Sequence, residues 1–168
     1  MAFYPINGGI GVQPIATKST TQLHPLGQII QAYDSTLGIG EFVYLKGVAS
    51  TAVGSWVSYT PGTGVSTLAI AGLKGAPLAV SMTTNTTTGS YAWYQISGTA
   101  TALGLTSITA SSGFIFLTST SANVDDASVA GDLIIGAKKT ATVHVVGTFL
   151  DTYHIARPMT TDRITLPS

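Results

Sequence analysis

From Gly27 onward the chain reads as short runs of Val, Ile, Thr, Tyr, Phe and Trp, separated by Gly and Asx turns. β-Branched and aromatic side chains fit a pleated, half-buried surface, so these runs predict strands. The predicted strands cover 28–33, 41–47, 55–60, 67–71, 77–83, 91–98, 113–118, 132–135 and 140–149. Turn chemistry falls between them, at 34–38, 61–64, 85–90 and 111–113. No stretch predicts a helix longer than two turns; 101–108 and 149–156 each read as a short helical turn. The spacing predicts one all-β domain, a sandwich or a barrel-like fold.

Two kinds of strand are visible. In 140–149, Ala141, Val143, Val145 and Phe149 share one face, while Thr142, His144, Val146 and Thr148 share the other. Elsewhere both faces are apolar: Phe42, Val43, Tyr44 and Leu45 follow one another, as do Phe114, Ile115, Phe116 and Leu117. A strand of the second kind sits between two layers or between two subunits.

The ends differ from the middle. Residues 1–27 carry Pro5, Pro14 and Pro25 with Gly8, Gly9, Gly11 and Gly27, and predict an extended arm. Phe3, Tyr4, Ile6, Ile10, Val12 and Ile15 make it too apolar for a solvated linker, so it lies on something: its own domain or a partner. The prolines and glycines bar it from a central sheet, which predicts that its removal costs the fold little. The β domain is then 28–156, and 157–168, with Pro158 and Pro167, reads as a C-terminal tail. No fixed-period repeat appears.

Composition sharpens the class. Only 8% of the 168 residues are charged, against about 25% in an average soluble domain. The seven basic and seven acidic residues cancel, which leaves no electrostatic footprint for nucleic acid or an anionic membrane. Thr, Ser and Gly supply the polarity, and such surfaces meet without desolvating charges. Met1-Ala2-Phe3-Tyr4-Pro5 lacks a basic stretch followed by an apolar one, so no signal peptide is expected. With no cysteine, disulfides, Cys-ligated zinc and thiol catalysis are excluded.

Catalytic patterns are missing. No serine has glycine two positions before and after it as a nucleophile elbow requires, and no phosphate-cradling Gly-rich loop occurs. Gly38-Ile39-Gly40 and Gly62-Thr63-Gly64 read as turns. His24, His144 and His154 have no metal-ligand spacing, and His154 lies three residues after Asp151 without a third partner. Asp125, Asp126 and Asp132 with Asn123 offer oxygen ligands but match no calcium loop, so no metal and no cofactor is expected. The sequon at Asn85 lies in a Thr tract, where chance matches are frequent. The aromatic residues Trp56, Tyr59, Tyr91, Trp93 and Tyr94 predict core, with Tyr91 and Trp93 on one face as either an interface anchor or a sugar-stacking platform.

One stretch is more specific. Residues 32–49, AYDSTLGIGEFVYLKGVA, followed by the Val53-Gly54 turn, and residues 91–100, YAWYQISGTA, which close on Gly98-Thr99-Ala100, resemble the capsid cement, or decoration, proteins of short-tailed bacteriophages. The resemblance spans roughly 24–156. It implies a β-rich, usually trimeric subunit on the outside of an icosahedral head, bound to the major capsid protein, and it carries no catalytic residue. The expectation is a non-enzymatic virion protein, with Phe3, Tyr4, Ile6, Ile10, Val12, Tyr91 and Trp93 as interface candidates. The alternative is a carbohydrate- or receptor-binding β module that uses Tyr91 and Trp93.

Overall fold

The fold, taken from a computed structural model, is described for residues 3–6, 11–105, 113–126, 132–140 and 150–161. Among the described residues it is all β, without a helix. The strands are β1 (Tyr4–Pro5), β2 (Lys18–Ser19), β3 (Ile29–Asp34), β4 (Gly38–Lys46), β5 (Trp56–Thr60), β6 (Val65–Leu68), β7 (Leu78–Ser81), β8 (Tyr91–Leu103), β9 (Phe116–Leu117), β10 (Val124–Asp125), β11 (Ile134–Lys139) and β12 (Leu150–Thr160).

Five strands close on themselves. β4 pairs with β6, β6 with β5, β5 with β7, β7 with β8, and β8 returns to β4. The β4–β6 contact, Lys46 beside Val65, is parallel, and the others are antiparallel. Inside this ring lie Val43, Leu45, Val57, Ala79, Ala92, Tyr94 and Ile96, with Tyr59 and Leu68 at its margin. Closure leaves these five strands without a free edge along the ring.

The same strands are also covered on the outside. Tyr44, Phe42 and Trp93 point away from the ring and pack with Ile30, Ala32, Phe3 and Ile15. Farther along, Trp56, Leu78, Val80, Ala100 and Ala102 meet Ile115, Leu117, Val124, Ile134, Tyr153 and Ile155. The small β9–β10 sheet supplies part of that second cover. This arrangement explains the run from Phe42 to Leu45, apolar on both faces: all four side chains are buried.

The described part of the N-terminal arm lies on its own domain. Ile15 is buried and Phe3 packs edge-on to Phe42 with ring centroids 4.9 Å apart. Gln13 ties the arm down. Its Oε1 accepts from the Tyr44 hydroxyl at 2.9 Å, its carbonyl accepts from Trp93 Nε1 at 3.0 Å, and its backbone N–H donates to His24 Nε2 at 3.1 Å. β1 and β2 add short strands to the sheet. An arm barred from a central strand thus joins through two-residue edges and buried side chains, and it is a structural part of the core.

Other boundaries shift. The strand expected at 91–98 runs on to Leu103, so the helical turn expected from 101 begins as strand. The turn expected at 149–156 is β12, which crosses the boundary at 157 and continues to Thr160. Its inward positions Asp151, Tyr153 and Ile155 alternate with Thr152, His154 and Ala156, and the polar members hide the period in the sequence. Phe116–Leu117 is all that pairs as a strand within 113–118. The strand expected over 140–149 lies, beyond Thr140, outside the described residues.

β4 and β8 cross closely at a register shift between Glu41 and Phe42. Gln95 Nε2 serves the carbonyls there, donating to Ser97 at 3.1 Å and Thr99 at 2.9 Å. Gly98, at φ +97°, has no room for a side chain: a Cβ would stand 2.5 Å from the Ile39 carbonyl oxygen.

Two outcomes follow from this packing. Gly98→Ala combines a left-handed backbone with a backbone clash and is expected to cost more than about 2 kcal/mol in denaturant unfolding. Gln13→Ala strips the Tyr44 hydroxyl of its buried acceptor and is expected to cost about 1–3 kcal/mol by the same measurement. An unchanged midpoint for Gln13→Ala contradicts the arm's structural role.

Candidate interaction surface

β3 alternates cleanly. Ile30, Ala32 and Asp34 face the core, which turns Ile29, Gln31 and Tyr33 outward. The turn at 35–37 is held by Asp34 Oδ1, which accepts from the N–H groups of Thr36 at 2.8 Å and Leu37 at 3.0 Å. It sets the register that puts Tyr33 opposite Ile39. On the other edge of β3, Tyr4 lies opposite Tyr33. Directly opposed residues of antiparallel strands share a face, so Tyr4, Tyr33 and Ile39 form one cross-strand row. Ile6 continues the same face, its N–H donating to the Gln31 carbonyl at 2.8 Å.

The result is an exposed apolar face. Tyr4 is 68% exposed, Ile39 59%, Ile6 51%, Tyr33 47% and Ile29 45%. Large contiguous apolar patches are a general feature of contact surfaces. Its polar border is Gln31 and Glu41, and Glu41 Oε2 takes a solvent-facing ion pair from Arg157 Nη2 at 3.2 Å. No described strand covers the outer edge of β1.

A second apolar row lies elsewhere. Ile135 is paired with Met159, and both are exposed. Phe116 bridges Leu133, and continuing that antiparallel register sets exposed Phe114 opposite Ile135.

The expected interface residues divide. Tyr4 and Ile6 stand on the exposed face. Phe3 is buried and Val12 packs against the same cluster, so both serve their own domain. Trp93 is fully buried, which removes it as a stacking platform. Tyr91 is half-buried and stacks on Tyr44 at 6.4 Å. Ile10 lies outside the described residues. Ile29, Tyr33 and Ile39 were not singled out from the sequence. The signal was the two-residue alternation through Ile29 and Tyr33. Ile39 was hidden because the strand was expected to begin at residue 41 instead of Gly38.

The groups with chemical potential are otherwise engaged. Asp132 Oδ1 accepts from the Gly72 N–H at 2.6 Å, and Asp125 Oδ1 from the Asp126 N–H at 2.8 Å. Among the described residues no three His, Asp or Glu side chains are placed to hold a metal ion. His24 packs against the rings of both Tyr44 and Trp93, His154 is exposed, and His144 lies outside the described residues. Asn85 is buried and donates to the Val48 carbonyl, a setting closed to a glycan. Burial pushes the hydroxyls of Tyr44, Tyr94 and Tyr153 above the ordinary tyrosine range, away from neutral pH. An open groove lies between Ala16, Val53, Met82, Thr83 and Thr84, and none of these described lining residues is titratable.

No protein family matches the chain, and neither does any curated protein or solved structure.

The exposed row is separable from the core. Replacing Tyr33 by Lys and Ile39 by Glu together puts opposite charges at directly facing positions. The double variant is expected to shift stability by less than about 1 kcal/mol while lowering the binding of a hydrophobic dye. A large loss of stability in thermal unfolding contradicts the assignment of this face to the surface.

Proposed function

We propose that the chain is a structural decoration subunit, which binds the outside of an icosahedral phage head through the face of β1, β3 and β4. The observation that carries this reading is that five large apolar side chains, Tyr4, Ile6, Ile29, Tyr33 and Ile39, stand exposed together on a chain with few charges. The resemblance of 32–49 and 91–100 to capsid cement proteins supports the same reading. So does the absence of catalytic patterns from the sequence, and the subunit acts by binding alone.

The mechanism is energetic. Covering a large apolar side chain supplies on the order of 1.5–3 kcal/mol, and association consumes a substantial part of the total. A subunit that binds the assembled shell and not its free components stabilises the shell by mass action. In a homotrimer each contact is repeated three times, so modest single contacts become firm attachment. A subunit that touches both a shell and its own copies needs two apolar surfaces, and the row of Phe114, Ile135 and Met159 offers the second.

The test is co-sedimentation of the purified chain with heads built from the major capsid protein of the same phage. The natural sequence is expected to pellet with the heads, and Tyr33→Lys with Ile39→Glu to stay in the supernatant. Equal pelleting of both, or of neither, overturns the proposal. Light scattering is expected to give a trimer, and a monomer at micromolar concentration contradicts that part.

A further inference from the structure

Among the described residues of this charge-poor chain, a charged pair is enclosed. Lys139 lies opposite Tyr153 on the paired strands β11 and β12, and Asp151 stands two residues before Tyr153 on the same inward face. Lys139 Nζ is 3.0 Å from Asp151 Oδ2, with the two side chains 3% and 0% exposed. Part of the surroundings is apolar: Tyr153 packs edge-on against Trp56 at 5.6 Å, and Ala102 faces Asp151 across β8. Asp125 and Asp126 are near enough for their charge to act on the Tyr153 hydroxyl.

A desolvated ion pair is costly to keep. An amine and a carboxyl held in contact by two paired strands also meet at a very high effective concentration. We propose that Lys139 and Asp151 condense into an intramolecular amide, a covalent cross-link between β11 and β12.

The step balances without a co-reactant. The Lys139 ammonium gives a proton to the Asp151 carboxylate, leaving an amine and a carboxylic acid. The amine nitrogen attacks Cγ, and the C–N bond forms. A proton passes from that nitrogen to the departing oxygen. The C–O bond breaks, and one water leaves. The product closes the chain from 139 to 151 into a covalent loop and replaces two buried charges by one neutral amide. The consequence is a domain whose last two paired strands cannot separate.

Mass spectrometry of the full-length chain under denaturing conditions tests this directly, because an ion pair does not survive denaturation and an amide does. The natural sequence is expected to be lighter than its sequence mass by one water. Its tryptic digest is expected to contain a branched peptide joining Lys139 to Asp151, with no cleavage after Lys139. Lys139→Met and Asp151→Ala are each expected to run at their full sequence mass. A natural chain at full sequence mass overturns the proposal, as does a water loss that persists in Lys139→Met. The decisive reading comes from the unsubstituted protein, so it stands whether or not the variants fold.

Discussion

Phe42, Val43, Tyr44 and Leu45 are consecutive, apolar and all buried, and a strand so built must be covered twice. Much of the architecture answers that demand. Closing β4, β6, β5, β7 and β8 into a ring hides one face of each strand and yields an inner core around Val43, Leu45 and Tyr94. The outer face then needs separate material. The N-terminal arm supplies it over Tyr44 and Trp93. The strands β9 to β12 supply it over Trp56 and Ala100. Among the described residues, three small cores therefore stand in place of one large one.

This layout makes the arm and the barrel interdependent. Gln13 is a polar residue buried among aromatic rings, and it is tolerated because its side chain and backbone pair with Tyr44, Trp93 and His24. The aromatic residues in turn need it, since the Trp93 N–H and the Tyr44 hydroxyl are polar ends on otherwise apolar bodies. Composition suggested a detachable arm. The hydrogen-bond accounting of two rings explains why the described part is packed down instead.

How much was legible follows from what a period can carry. Strands with apolar runs or clean alternation, such as β3, β4, β5 and the first half of β8, were visible because a two-residue repeat is local information. β12 was missed because Asp151, His154 and Arg157 interrupt its pattern, and Asp151 is buried where Lys139 on the neighbouring strand meets it. Ring closure was not legible, since it depends on which distant strands pair. For the candidate surface, Tyr4 and Ile6 were identified from their place in an apolar arm. Their partners Tyr33 and Ile39 emerge only once the register of β1, β3 and β4 is known. Trp93, the residue most suggestive of a site in the sequence, is enclosed by the arm that lies before it in the chain.

A barrel buried on both faces carries exposed apolar side chains on the face of β1, β3 and β4, and we propose that face as the place where a shell subunit sits. Cryo-electron microscopy of heads decorated with the purified chain is the most direct examination of that reading. The predicted result is density for the β domain at junctions between capsid subunits, with Tyr33 and Ile39 buried against the shell. Density that leaves the β1–β3–β4 face toward solvent, or heads that carry no added density at saturating protein, would contradict it.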